Sequence, residues 1–244
     1  MRIPVRRVLF FLDIPELTHV KVALRNIMTE WQLARASAKS LRTCRKALAG
    51  KKGLQLELGG GAGGIRPGWI NIDIAFAAPY SCKTQLNGTE GYINSDLRAR
   101  IPLENECVSK LFMSHILEHF DYREGVKLLR EVYRCMQPGG QIRVVMPDYS
   151  AFFKACVARN EEILCFRSRA KRLAYILPGA ESIADYISLG VYENGQHKWI
   201  HDADSLCRLL SVLGFRNVSL DHFRPECLDV PIRAKDSFVV VAEK

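Results

Sequence analysis

Leu56-Glu57-Leu58-Gly59-Gly60-Gly61-Ala62-Gly63-Gly64 is the stretch on which the fold turns. Leu54 to Leu58 reads as a short alternating strand that runs without a break into glycines. A strand that turns sharply into the next element leaves room for a nucleotide only where the backbone carries no side chains. Gly59, Gly61 and Gly63 recur at two-residue spacing, while Gly59, Gly61 and Gly64 also satisfy the GxGxxG spacing of dinucleotide sites. The glycines alone leave both readings open, beside that of a plain flexible turn.

Downstream, strand and helix patterns alternate. Trp69 to Ile74 reads as a strand, Lys110 to Met113 as a strand leading to a helix over Glu124 to Met136, and Gln141 to Met146 as a strand preceded by the turn Pro138-Gly139-Gly140. Ser150 to Ile187 is largely helical, is broken at Pro178-Gly179, and carries the basic residues Arg167, Arg169, Lys171 and Arg172. A helix over Ala203 to Leu213 ends at Gly214, and strands follow at Asn217 to Asp221 and Ser237 to Ala242. This order predicts an α/β fold, a doubly wound and mostly parallel sheet. Two final strands with no helix between them predict an antiparallel last strand. Ile65 to Ile72, interrupted by Pro67-Gly68, is too short for a crossover helix, so the first crossover is expected to be irregular.

Upstream, Leu17, Val20, Leu24, Ile27, Met28, Trp31, Ala34, Ala38 and Leu41 recur at helical steps, and Gly50 and Gly53 stop the helix. Residues 1–53 are expected to be a basic helical extension, and residues 54–244 the main domain with an insertion at about 150–200. The formal charge of +9 belongs to the extension: residues 1–53 hold 12 Lys or Arg against Asp13, Glu16 and Glu30, and the remainder balances. Such a segment recruits nucleic acid, anionic lipid or an acidic partner, or serves as a solvated helix face. The eight cysteines form no CxxC pair, so no metal site is expected and reduced thiols are. Val8 to Leu12 is too short for a membrane span, which places the expected location in the cytoplasm.

Charge breaks the tie over the nucleotide. Glu57 sits two residues before the first glycine, an awkward place beside a pyrophosphate but a useful one near the cationic amino-acid end of S-adenosylmethionine. Asp73 closes the second strand, where a carboxylate accepts hydrogen bonds from ribose hydroxyls.

LELGGGAGG, then GWINIDI at Gly68 to Ile74, Asp96-Leu97 with Ile101-Pro102-Leu103, SHILEHF at Ser114 to Phe120 and LLREVYRCMQPGGQIRVVMPD at Leu128 to Asp148 form five ordered blocks. Their sequence and order resemble the class I S-adenosylmethionine-dependent methyltransferases, specifically the type 11 branch. The resemblance implies a Rossmann-like methyltransferase fold, with Gly59 and Gly61 against the cofactor and Asp73 on its ribose. It also implies that Asp96 and Leu97 flank the adenine and that the backbone at His115 passes close by.

Methyl transfer from a sulfonium is an in-line displacement, so orientation supplies most of the acceleration and a base matters chiefly for a hydroxyl acceptor. The candidates are His119 and His197, with His115, Glu118, Asp148 and His201 nearby in the sequence. Phe166, Tyr175, Tyr186 and Tyr192 either line an acceptor pocket or fill the core. The resulting expectation is a methyltransferase acting at oxygen on a small-molecule or saccharide acceptor. RNA methylation aided by the basic arm and a non-catalytic S-adenosylmethionine-binding protein are the rivals.

Overall fold

The computed structural model describes residues 18–61, 66–73, 84–159, 182–224, 227 and 231–244. Eight strands form one sheet: β1 (Leu54–Leu58), β2 (Trp69–Asp73), β3 (Gln85–Asn87), β4 (Glu90–Asn94), β5 (Val108–Ser114), β6 (Met136–Pro147), β7 (Arg216–Asp221) and β8 (Ser237–Glu243). Their order is β3-β4-β2-β1-β5-β6-β8-β7. The strands from β4 to β6 pair in parallel, and β8 runs antiparallel to both β6 and β7. The expected antiparallel last strand is therefore present, and it lies inside the sheet with β7 at the edge.

Period-two alternation decides which side of each strand is dry. Leu54, Leu56 and Leu58 of β1, Ile70 and Ile72 of β2, Leu111 and Met113 of β5 and Ile142 and Val144 of β6 belong to one buried cluster. The helices α1 (Thr18–Ala47), α2 (Tyr122–Cys135) and α5 (Ala203–Val212) reach that cluster through Cys44, through Leu128 and Val132, and through Leu206 and Leu210. The shorter helices α3 (Tyr149–Ala158) and α4 (Ile183–Ile187) meet in a separate small core around Phe152. On the other face of the sheet Phe112, Val145 and Val239 form a small cluster with Trp69 and Phe223. Beside it lies a groove of ≈ 630 Å³ lined by Gln55, Lys110, Arg143 and Asp221 among others. The ten residues between β1 and β2 are too few for the helix that would cover this face.

Two boundaries around β6 differ from expectation. The Pro138-Gly139-Gly140 segment lies within β6 rather than before it, and Met136 belongs to that strand rather than to α2. The register steps from Val108↔Met136 to Lys110↔Gln141, so the extra residues form a bulge. Gly139 takes φ +73 in that bulge, and Gly139 N–H and Gly140 O bond to the backbone of Lys244 at 2.9 and 3.0 Å. The hairpin β3–β4 was not expected; its two-residue turn places Gly88 at φ +63, which only glycine adopts cheaply.

The extension is stitched to the domain along half of its length. From Leu33 onward α1 buries Leu33, Ser40 and Cys44, and Leu48 follows it into the core. Ser40 Oγ donates to Asn94 O, Asp96 N–H donates to Ser37 Oγ at 3.0 Å, and Arg98 bridges to Glu30 at 3.1 Å. From His19 to Gln32 no residue is buried. Among the described residues no helix is long and apolar enough to cross a membrane. Residues 1–17, part of the glycine loop at 62–65, Ile74, and the stretch 160–181 with Phe166, Tyr175 and the basic cluster lie outside the described residues.

Candidate functional site

Two groups of residues meet at the carboxyl ends of β1, β2 and β5, where open α/β sheets hold ligands. The first is the loop after β1. Gly59 stands at φ +77, and a Cβ there would lie 1.8 Å from Ile116 Cδ1. Glycine is thus required twice, by the backbone and by the side chain packed over it. Gly61 stands at φ +72, and among the described residues nothing lies within 4 Å of a Cβ position there, which leaves room for a bound molecule. Asn71, fully buried in β2, holds the loop from beneath: its Oδ1 accepts from Gly60 N–H at 3.1 Å and its Nδ2 donates to Gly61 O at 2.6 Å. Asp73 Oδ2 accepts from Gly61 N–H at 2.7 Å, so the carboxylate marks the mouth of the loop.

The other acidic candidates are committed to arginines. Glu57 is buried and accepts from Arg66 Nε at 3.0 Å. Burial raises its carboxyl above the ordinary range, and Arg66 opposes that rise. Asp96 is held by Arg98 through Nε at 3.0 Å and Nη2 at 2.7 Å, and Leu97 belongs to the core. Asp96 lies next to the loop through its neighbour, since Ser95 N–H donates to Asp73 O at 3.1 Å.

The second group follows β5. His115 takes φ +55, a strained backbone for a non-glycine residue. Its Nδ1 faces Arg233 Nη1 at 3.1 Å and its Nε2 faces Ser237 Oγ at 2.8 Å. Nδ1 lies between the Arg233 guanidinium, which donates, and Glu118 Oε1 at 3.4 Å, so both ring nitrogens of His115 are already engaged. The turn Leu117–His119 then presents His119. Its Nδ1 lies 3.1 Å from Gln196 O, a pure acceptor, which places the proton on Nδ1 and the lone pair on Nε2. Burial first, and then the charge of His197, lower the His119 pKa below its ordinary value. The imidazole is neutral at neutral pH.

His197 reaches the same place from the far segment. Lys198 N–H donates to Glu118 O at 2.8 Å, which pins the two segments together, and the His119 and His197 rings meet edge to face at 5.0 Å. His197 Nε2 lies 2.6 Å from Glu193 Oε2, and Nδ1 lies 3.0 Å from Val191 O and 2.8 Å from Tyr149 OH. Both nitrogens are engaged, Nε2 by the Glu193 carboxylate and Nδ1 by Val191 O and the Tyr149 hydroxyl, so the ring is held in place. Glu118, His119 and His197 offer ligand atoms within 4.8 Å of one another, but the Glu193 carboxylate already occupies His197 Nε2.

The remaining candidates fall elsewhere. Asp148 caps α3 by accepting from Ala151 N–H at 2.9 Å, and Asp202 caps α5 by accepting from Ser205 N–H at 2.7 Å. His201 is buried, and burial lowers its pKa. Tyr186 packs in the small core around Phe152, while Tyr192 is exposed. Asn71, Tyr149, Glu193 and Arg233 were not anticipated. For Asn71 a signal existed, a lone amide in an otherwise apolar strand interior.

Residues 56–144 match a family described as methyltransferase domain. No curated protein matches the chain in sequence. Among solved structures the chain is similar to an S-adenosylmethionine-dependent methyltransferase from Archaeoglobus fulgidus, at 19% identity and a TM-score of 0.47, covering 88% of this chain and 94% of that one. It is also similar to Haemonchus contortus phosphoethanolamine N-methyltransferase 2, at 13% identity and a TM-score of 0.46, covering 85% of this chain and 52% of that one. Human N-acetylserotonin methyltransferase shows 16% identity and a TM-score of 0.45, covering 87% of this chain and 50% of that one. The chain spans about half the length of the latter two proteins.

Proposed function

We propose that the chain, whose residues 56–144 match the methyltransferase-domain family, methylates a hydroxyl of a small-molecule or saccharide acceptor, with His119 as the general base. S-adenosylmethionine, when bound, supplies an electrophilic methyl carbon on a sulfonium. The residues that would hold it are the Gly59 to Gly61 loop, which leaves room at Gly61 for a bound molecule, and Asp73. Glu57 contributes through its pair with Arg66, since its own carboxylate is not exposed.

The observation that carries the oxygen reading is His119. It is neutral, its Nδ1 proton is fixed on Gln196 O, and it sits three residues from the Ile116 side chain that covers Gly59. A neutral imidazole with Nε2 as the acceptor is the form that takes a proton from a hydroxyl as its oxygen attacks carbon. His197 positions His119 through the ring contact and keeps its charged form unfavourable. His197 is in turn gripped by Tyr149, Val191 and Glu193.

The test is transfer of labelled methyl groups to a panel of hydroxyl, amine and thiol acceptors, including free and lipid-linked sugars. Label on an oxygen of a sugar or small alcohol is the expected result. Label only on nitrogen would remove the need for His119, and S-adenosylhomocysteine binding without transfer to any acceptor would favour a non-catalytic role.

A further inference from the structure

The first half of α1 carries an apolar stripe that faces away from the domain. At about 100° per residue, Val20, Leu24, Ile27 and Trp31 fall within one narrow sector, on the side opposite the buried Leu33 and Cys44. They are 46, 40, 65 and 61% exposed. Four apolar side chains on successive turns form a continuous stripe about 16 Å long. A helical segment of this length with no buried side is marginal in water, because helix stability comes mainly from the face it buries.

The charge around the stripe says what it meets. Along Thr18–Ala47 stand Lys21, Arg25, Arg35, Lys39, Arg42, Arg45 and Lys46 against Glu30 alone, and Glu30 is paired with Arg98. Arg35 lies over the Trp31 ring at 5.3 Å. Arg42 and Arg45 are exposed on the line along which the stripe continues toward the C-terminus, and Lys39 and Lys46, also exposed, lie along one flank. The core of a protein–protein interface is depleted in charge, which disfavours an occupant packed against so many cations. A bilayer interface takes both parts: apolar side chains enter the acyl boundary, and flanking cations meet anionic headgroups.

We propose that the outward face of α1 docks on an anionic lipid surface. The helix lies in the plane of the interface with Val20, Leu24, Ile27 and Trp31 inserted. Because the second half of α1 is tied to β4 through Ser40 and Asn94, docking fixes the whole domain relative to the surface.

Cosedimentation of the full chain with vesicles tests this, using phosphatidylcholine alone and phosphatidylcholine with about 30% phosphatidylglycerol. Binding to the anionic vesicles is expected to exceed binding to the neutral ones roughly ten-fold and to weaken at about 0.5 M salt. Trp31 emission should shift to the blue on binding, identified by its loss in Trp31→Phe. The double variant Ile27→Asp with Trp31→Asp should lose roughly ten-fold or more in vesicle binding. Its unchanged urea midpoint and S-adenosylhomocysteine affinity would show that it is folded. Vesicle binding retained by that variant overturns the proposal. So does a wild-type dimer that Ile27→Asp dissociates while no vesicle is bound, since the stripe would then be an interface between copies of the chain. Neither outcome bears on methyl transfer, which is read separately.

Discussion

The rings of His119 and His197 lie edge to face, and their hydrogen-bond partners differ. His119 has one nitrogen on a carbonyl, whereas His197 has both nitrogens engaged by Glu193, Val191 and Tyr149. His119→Ala should leave S-adenosylhomocysteine affinity unchanged and lower the transfer rate by about 10² to 10⁴. A wild-type rate in that variant would remove the base from the mechanism. The lowered pKa of His119 also predicts the shape of the rate profile. The neutral form predominates above the ordinary histidine value of 6.5, so the rate should be level through neutral pH and fall only below that value. Stability follows the same sign. His119 and His201 are both lowered by burial, so between the folded and the ordinary value the unfolded chain binds more protons. Their contribution is fully present above about pH 6.5 and declines as pH falls below it. Urea midpoints at about pH 7.5 and about pH 5.5 measure the effect, which His201→Phe should reduce. Equal midpoints in the wild type would contradict the burial argument.

The strand-loop-strand element from Leu54 to Asp73 is a unit whose parts constrain one another. Gly59→Ala places a Cβ against Ile116 and keeps a left-handed backbone, so it should both destabilise the chain and displace the loop. Adding Ile116→Ala relieves the clash and leaves the backbone cost of about 1 to 2 kcal/mol. Urea denaturation of the single and double variants separates the two; full rescue would show that the backbone there is unstrained. Asn71→Ala strips two hydrogen bonds from a buried loop, and Asp73→Ala removes the acceptor of Gly61 N–H. Each should weaken S-adenosylhomocysteine by about 1 to 3 kcal/mol in calorimetry. This element was legible because the period-two apolar pattern and the glycines are local signals. The end of α2 was not: Pro138-Gly139-Gly140 has the composition of a turn, and only pairing with Lys244 and β5 makes it a bulge. Arg98, two residues on from Asp96, was a local signal that this carboxylate is spoken for, whereas the same arginine's pair with Glu30, 68 residues away, was not legible in the sequence. His197 stood out as a histidine, but Glu193 and Tyr149 acquire meaning only when the chain brings them to it.

At the scale of the molecule the basic extension is half appendage and half foundation. Deleting residues 1–15 should leave cofactor affinity nearly unchanged in calorimetry, since the stitched part of α1 begins near Leu33. Leu48→Ala, in contrast, opens a cavity in the main core and should cost about 2 to 5 kcal/mol in urea denaturation. The place of β8 has a consequence for how the molecule is made. Among the described strands the backbone of β7 pairs with β8 alone, and β6 pairs with β8 across about a hundred residues of chain, from Gln141↔Glu243 to Pro147↔Ser237. As the chain leaves the ribosome, the parallel strands and their helices can assemble in order of synthesis. The β6 edge then waits unpaired until residues 237–243 arrive and slide between β6 and β7. A bare apolar edge of that kind is a template for pairing with a neighbouring chain, so the nascent protein is exposed to aggregation until residues 237–243 have emerged and paired.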